Sequence, residues 1–388
     1  MVCATIAATE CIVQTENFIW RPQEAQPPGS RIGTADFVLY FGPRRQLENR
    51  RVFSGLRAAY PGAILLGCSS GGQIAAGTVE SDLISGLALK FSHSQVRLHR
   101  EPVSPNMCSA EIGRKIGAAL LAPDLAGVII LSDGLLVNGS ELTAGLASIL
   151  PPGIPIAGGM AGDDDRFEQT VVGANCSPAR GVIGAVGLYG KHLDIHTGFG
   201  GGWTVFGPRR RITRAERNVL FELDDLPALG LYEGYLGPDS SALPSSGLRF
   251  PLLIRDPANP GVELIRTLLG IDRDTGAMTF AGNLPEGWTA QLMRANFERL
   301  ADGAARAGQQ ARSDGASGAA LLVSCIGRRL VLGQRIDDEI EAVLGALGSG
   351  LPAIGFYSYG EFSPGSPGGP VELHNQTMTV LTITERAA

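Results

Sequence analysis

The sequence predicts an α/β protein with mixed parallel and antiparallel sheets, built from repeated strand-helix-strand-hairpin units and divided into two domains. Three observations carry this expectation. A pattern of apolar run, amphipathic stretch and second apolar run occurs three times. A pair of glycines with four residues between them recurs inside each copy. The 388 residues also exceed what one hydrophobic core usually spans.

The first copy opens on an apolar strand at Phe37–Phe41, the second at Gly127–Leu131 and the third at Ala320–Cys325. An amphipathic helix follows each. Its apolar positions are Val52, Leu56, Ala59 and Tyr60, then Leu142, Leu146, Ile149 and Leu150, then Ile336, Ile340, Val343, Leu344 and Leu347. This is the stripe of a helix lying on a sheet. The glycine pairs are Gly62 with Gly67, Gly153 with Gly158, and Gly350 with Gly355. The first of each pair suits a helix C-cap with positive φ, and the second suits the end of a short buried strand. Short strand-helix-strand crossovers imply parallel pairing. Strand signals at Gly86–Phe91 with Gln95–His99, Gly184–Tyr189 with Leu193–His196, and Gln376–Thr384 close the units. Strands at Leu248–Ile254, Glu263–Leu269 and Ala277–Phe280 enlarge the second half, after a connection over Trp203–Pro260. Gln291–Leu300 reads as a helix end, running into a loose loop over Ala301–Gly318. Arg21–Ser30 reads as a polar, proline-rich connector.

The composition narrows the function. The 53 glycines and 24 prolines are about a fifth of the chain, against a usual share nearer one eighth. With 44% hydrophobic and 18% charged residues, the chain can repay its ordering entropy and reads as globular. A net charge of −6 argues against a nucleic-acid surface. No apolar run approaches the ~20 residues of a membrane span, and no leader is recognisable. The cysteines Cys3, Cys11, Cys68, Cys108, Cys176 and Cys325 form no Cys-x-x-Cys pair. Free thiols in a cytoplasmic protein are the simplest reading.

Several motifs invite a chemical reading. Gly67-Cys-Ser69-Ser-Gly71 matches the Gly-x-Ser-x-Gly turn of hydrolases, with Ser69 as nucleophile. The long helix that such a turn needs does not follow, and the equivalent positions in the other copies are Met160 and Tyr357. A thiol chemistry would use Cys68 or Cys325. Gly62 to Gly67 is half a phosphate loop, with Cys68 where lysine is required. Asp163, Asp164 and Asp165 read as a solvated turn, since adjacent carboxylates on an extended chain alternate in direction. His192 and His196 read as strand residues too far apart to share a metal. In the third copy, Cys325, Arg328, Tyr357, Tyr359, Glu361, His374 and Asn375 fall near strand ends and could line a small-ligand pocket. Turn chemistry and core tyrosines account for the same residues, and both readings stand.

These motifs together resemble the FIST family of signal-transduction sensors. The resemblance rests on Leu66–Ile74, on Ala157–Asp163 with Phe167, on Gly202–Gly207, and on Leu223–Leu236. It rests further on Ser324–Arg328, Gly355–Glu361 and His374–Thr377. It implies an N-terminal strand and connector over 1–29, a FIST N-like domain over 30–222 and a FIST C-like domain over 223–388. It implies a ligand-sensing module without catalytic residues. A chain of this length leaves no room for an output domain, so it would act on a separate partner such as a histidine kinase or a cyclic-di-nucleotide enzyme. Amino acids or related metabolites are ligands proposed for the family. A stand-alone branch is described as containing haem b and responding to nitric oxide, with a partner kinase in a two-component system. In that case His374 is the candidate axial ligand to the haem iron.

Overall fold

The computed structural model describes residues 13–386, apart from residues 22, 106, 260, 314–316 and 349. Cys3 and Cys11 lie outside the described residues. The threefold pattern is the architecture. The first unit contains β1 (Val13–Trp20), β2 (Phe37–Gly42), α1 (Arg44–Leu47), α2 (Arg50–Ala59), β3 (Ile64–Ser69), β4 (Gln73–Ala75), β5 (Thr78–Glu80) and β6 (Ile84–Phe91). The second contains β7 (Gln95–Pro102), α3 (Ser109–Leu120), β8 (Leu125–Ser132), α4 (Gly139–Ala147), β9 (Ile156–Met160), β10 (Val172–Ala174) and β11 (Val182–Tyr189). The third opens with β12 (Leu193–Gly200). It then carries an inserted β layer, described below, before its own helix and closing strands.

The insertion spans residues 204–294. It holds β13 (Thr204–Val205), β14 (Arg210–Glu216), β15 (Val219–Leu223), β16 (Leu226–Pro227), α5 (Ala228–Leu236), β17 (Leu252–Arg255), β18 (Glu263–Arg266), β19 (Leu268–Asp272), β20 (Ala277–Phe280) and β21 (Thr289–Arg294). These nine strands form a sheet of their own, with its own core around Ile212, Tyr232, Ile254 and Phe280. The strands expected to enlarge the second half therefore build a separate layer. The third unit resumes with α6 (Phe297–Gln310), β22 (Gly318–Cys325), α7 (Ile326–Leu332), α8 (Ile336–Leu347), β23 (Ala353–Ser358), β24 (Gly360–Pro364), β25 (Val371–His374) and β26 (Met378–Glu385).

Each unit builds one sheet in the same way. The strand pairs β2/β3, β8/β9 and β22/β23 are parallel, as the crossover helices require. The closing strands β6, β11 and β26 run antiparallel to them. The closing hairpins expected from the sequence are not hairpins. β6 and β7 lie in different sheets, as do β11 and β12, and each first strand pairs instead with its own unit's last strand. The strand after each parallel pair leaves its unit. β10 joins β3 of the first unit, β24 joins β9 of the second, and β4 joins β23 of the third. The three sheets are thus completed by a cyclic exchange of strands. Between them lies one apolar cluster that includes Phe41, Leu66, Ile129, Val186, Val323 and Phe356. The rings of Phe41 and Phe356 stack at 4.5 Å across two units.

The glycine pairs have a different cause from the one expected. The second glycine is inside its strand, where a Cβ would strike the adjacent parallel strand. It would lie 2.3 Å from the Tyr40 carbonyl at Gly67, 1.9 Å from the Ile130 carbonyl at Gly158 and 2.2 Å from the Leu322 carbonyl at Gly355. The first glycine is not a cap. The helices end at Tyr60, Ser148 and Gly348, and Gly62 has no positive φ.

The expected helix at 291–300 is displaced. Gln291 lies in β21, and Asn296 caps α6 by accepting from the Arg299 amide. The small residues that suggested a loose loop are the packing face of that helix. A Cβ on Gly303 would lie 1.6 Å from the Gly201 carbonyl, and one on Gly308 would lie 2.5 Å from the Val343 carbonyl. Units two and three therefore carry a second helix, α3 or α6. The first unit has a proline-rich coil in its place, with Trp20 and Pro27 against Gly55 of α2.

The two glycines of one motif give a direct test. Gly67→Ala is expected to cost about 1–3 kcal/mol or more in chemical denaturation, because backbone must move. Gly62→Ala, which meets nothing within 4 Å, is expected to stay within ~0.5 kcal/mol of the parent. Equal effects would refute the close-approach explanation.

Candidate functional site

Ser69, Met160 and Tyr357 are equivalent residues at the ends of the second parallel strands, as their register with the first strands shows. Two residues further on, each chain segment crosses to its neighbour. The Gly162 amide donates to the Ser69 carbonyl at 2.9 Å, the Tyr359 amide to Met160 at 3.1 Å, and the Gly71 amide to Tyr357 at 3.0 Å. Beside this ring, residues from all three units surround a cleft of about 310 Å³ lined by Arg45, Gln46, Gly71, Gly72, Arg166 and Arg329, among others. An adjoining cavity of about 380 Å³ shares Asp164 and Arg329 with it. Both lie beyond the carboxyl ends of parallel strands, where open α/β sheets bind ligands.

The aspartate triplet organises the cleft and is not a solvated turn. Asp163 is fully buried and accepts from Arg44 Nε at 3.0 Å and Arg166 Nη2 at 2.7 Å. A buried carboxylate persists only with such partners. Asp164, at φ +59, pairs with Arg329 Nη1 at 3.0 Å. Burial pushes its carboxyl above the usual range, while Arg329 pulls it down. Tyr359 fixes this turn. Its hydroxyl donates to the Asp164 carbonyl at 3.0 Å and accepts from the Phe167 amide at 3.2 Å, and its ring stacks on Phe167 at 4.4 Å. Arg329 also donates to the Gly71 carbonyl and to Ser81 Oγ at 2.7 Å. One side chain of the third unit thus touches the first and second.

Arg45 is exposed and makes no ion pair among the described residues. Gln46 donates to the Asp82 carbonyl at 3.0 Å, but its Oε1 is buried without a partner. Neither residue, nor Arg329, stood out in the sequence. Arg329 follows Arg328, and neighbours on a helix face roughly 100° apart, so one points inward and the other outward.

Apart from Tyr359, the sequence-predicted residues are buried and held by hydrogen bonds within the core. Arg328 is wholly buried. It pairs with Glu339 at 2.5 Å and donates to the Leu300 carbonyl at 2.8 Å and the Gly201 carbonyl at 3.1 Å. Tyr357 donates to the same Glu339 at 2.9 Å, and Ser324 at 3.2 Å. Glu339 was hidden in the acidic run Asp337–Glu339. Its spacing of three from Ile336 and four from Val343 places it on the apolar face. Glu361 accepts from Ser358 at 2.7 Å and from the Thr377 hydroxyl and amide at 3.0 and 3.1 Å. Burial outweighs these bonds and pushes its carboxyl up to about 8. His374 pairs with Glu361 in register, but its ring stacks on Phe199 at 4.4 Å and its Nε2 meets the Ser363 carbonyl at 3.1 Å. Asn375 bonds to the His374 carbonyl and the Thr267 amide.

The nucleophile candidates are occupied or inert. Ser69 Oγ accepts from the Val171 amide at 3.0 Å. No histidine hydrogen-bonds to it among the described residues. The rings of His93 and His192 meet at a tilt, His99 pairs with Glu101, and His196 pairs with Asp194. Burial holds the thiols of Cys68 and Cys325 well above their usual range, so neither is a ready thiolate. No group of three or more metal-ligating side chains occurs among the described residues.

The buried carboxyl predicts a pH dependence. Between 4.5 and about 8 the folded chain keeps a proton on Glu361 that the unfolded chain has released, so stability falls as pH rises. His374, pushed by burial down to about 4, has the opposite sign between about 4 and 6.5. From 6.5 to about 8 the Glu361 contribution is no longer opposed by that of His374. The parent is expected to lose on the order of a few kcal/mol over that interval. Glu361→Gln should abolish this slope in denaturation curves measured at each pH.

Comparison with known proteins places the chain. A model of the FIST N domain matches residues 36–226, and one of the FIST C domain matches residues 228–364. No curated protein matches. A solved structure of a cyanuric acid hydrolase from A. caulinodans is similar over 97% of this chain and 99% of its own, at 9% identity and a TM-score of 0.35. That is too loose to carry an argument about activity. Among the described residues no helix is long and apolar enough to cross a membrane. The two domain matches together take in most of the chain, which therefore belongs to the FIST family, a family associated with small-ligand sensing in signal transduction.

Proposed function

We propose that this chain is a cytoplasmic sensor that binds a small metabolite and reports to a separate signalling protein, such as a histidine kinase or a cyclic-di-nucleotide enzyme. The observation that supports this most is the cleft of about 310 Å³ at the strand ends, to which all three units contribute side chains. A ligand there touches groups from the whole body. Arg329 already bonds to Gly71 and Ser81 of the first unit and Asp164 of the second. An amino acid or related metabolite is the form of ligand this polar lining suits.

The haem version of the sensor fits these residues poorly. His374 is 8% exposed, one face of its ring lies against Phe199, and Nε2 is committed to the Ser363 carbonyl. Haem iron at Nε2 would have to displace that carbonyl. For the hydrolase alternative, no histidine, lysine or carboxylate hydrogen-bonds to Ser69 Oγ among the described residues.

Thermal-shift measurements on the purified chain, against a panel of small metabolites and haemin, test the proposal. A polar metabolite is expected to raise the melting temperature, and Arg329→Ala is expected to reduce that shift. Absorption spectra are expected to show no Soret band after haemin is added and the chain desalted. A retained band that moves with nitric oxide would favour haem sensing instead. Failure of every compound to shift melting would remove the sensor reading.

A further inference from the structure

We infer that His93 and His192 together bind one divalent transition-metal ion of the zinc, nickel and copper group, at the end of the body opposite the cleft. The site is independent of the sensor reading and uses none of the cleft residues.

Topology brings the two histidines together. β6, β11 and β26 run antiparallel to the parallel pairs, so they end where those pairs begin. At that end the chain passes from the first unit to the second through residues 92–94, and from the second to the third through residues 190–192. β26 finishes beside both turns. Glu385 is buried, and its carboxylate accepts from the Ser92 amide at 2.8 Å, the His93 amide at 2.9 Å and Ser94 Oγ at 2.5 Å. The Arg386 amide donates to the His192 carbonyl at 2.8 Å. A Cβ on Gly190 would lie 2.7 Å from Ser94 Oγ, so the two turns touch. Each histidine therefore stands on backbone that the third unit's last strand holds in place.

Three observations point to a metal ion. The first is distance. The ring centroids are 5.4 Å apart at an interplanar angle of 45°. Two imidazoles bound to one ion, through bonds of about 2.1 Å at a tetrahedral angle, have centroids roughly 5 Å apart. The second is availability. His93 is exposed and His192 half-buried, and neither ring hydrogen-bonds to another group among the described residues. His99 and His196, by contrast, each have a carboxylate partner. The third is charge. The Glu385 carboxylate has no Lys, Arg or His partner among the described residues, only neutral donors. A buried anion of that kind favours a cation beside it. Imidazole nitrogen suits zinc, nickel and copper, whereas magnesium and calcium take oxygen ligands. Water completes the shell of an ion held by two side chains. The two histidines meet only in the folded chain, so the ion stabilises the fold by mass action.

Isothermal titration calorimetry and thermal unfolding of the metal-stripped, tag-free full chain test this with the chlorides of copper(II), nickel, zinc and magnesium. One equivalent of copper should bind most tightly, nickel and zinc more weakly, and magnesium not at all. Each bound ion should raise the melting temperature. His93→Ala and His192→Ala should each weaken zinc at least about tenfold, since even an outer-shell partner of a metal is worth that much. The paired substitution of His99→Ala with His196→Ala should leave zinc affinity unchanged. The melting temperature of each metal-free variant separates a lost ligand from a lost fold, and His93→Ala, at an exposed position, decides the matter if His192→Ala fails to fold. An unchanged affinity in His93→Ala, a loss of binding only in the His99 and His196 variant, or no heat and no melting shift with any transition ion overturns the inference. So does a second equivalent that shows the two histidines binding separate ions.

Discussion

The amides of Gly71, Gly162 and Tyr359 each reach the last carbonyl of a neighbouring unit's strand, and these three bonds close the body on itself. Each occurs where the chain leaves its own sheet to complete the next. Backbone amides buried at a strand end need a partner, and only the adjacent unit offers one. The exchange follows from this geometry. None of the three unit sheets has all its strands from one unit, so these three cannot form independently. Glycine at two of the three crossings follows as well. A Cβ on Gly71 would lie 2.5 Å from Ile326, and one on Gly162 would lie 2.9 Å from the Tyr357 carbonyl.

The same constraint explains the hydrolase-like motif. Gly67 is demanded by the Tyr40 carbonyl of the next strand, and Gly71 by the ring crossing. Ser69 sits between them at the strand end, its hydroxyl turned to the Val171 amide of the exchanged segment. Two unrelated steric demands and a serine held by the exchanged segment account for the Gly-x-Ser-x-Gly pattern. A turn of this kind in a nucleophile elbow leads into a helix, whereas here it leads into β4 and a foreign sheet.

What the sequence discloses divides along physical lines. The parallel pairs and their helices are legible because hydrophobic period is a local property. The exchange of β4, β10 and β24 is illegible because strand pairing between units leaves no local signal. The face of α6 rich in Ala and Gly reads as a loop by composition, and only its contact with the Gly201 carbonyl shows that smallness is the requirement. At the site, aromatic and charged residues near strand ends are found easily, but the sequence cannot tell a buried network from a lining. Arg328, Tyr357, Glu361 and His374 proved to be the former. Arg45, Gln46 and Arg329 are ordinary surface types, and only the fold brings them to one cleft, where Arg329 reaches across three units.

A threefold body would present three similar mouths, and the insertion removes that equivalence. The layer over residues 204–294 lies against the second unit's corner, where Asn138 bonds Asn283 at 2.8 Å and Glu141 pairs with Arg217 at 2.6 Å. The first corner has no such cover, and there the cleft with Arg45 remains open. The two corners are joined through α7. Arg329 reaches the open cleft. Its neighbour Arg328 grips the carbonyls of Gly201 and Leu300, which stand just before and just after the inserted layer. Both side chains leave one helix of seven residues. One helix therefore links the open cleft with both stems of the layer. Arg328 is wholly buried and shares Glu339 with Tyr357, so the link is built into the core. The symmetry that closes the body supplies rigidity, and the single break in it connects the cleft to the one part of the fold that the repeat does not contain.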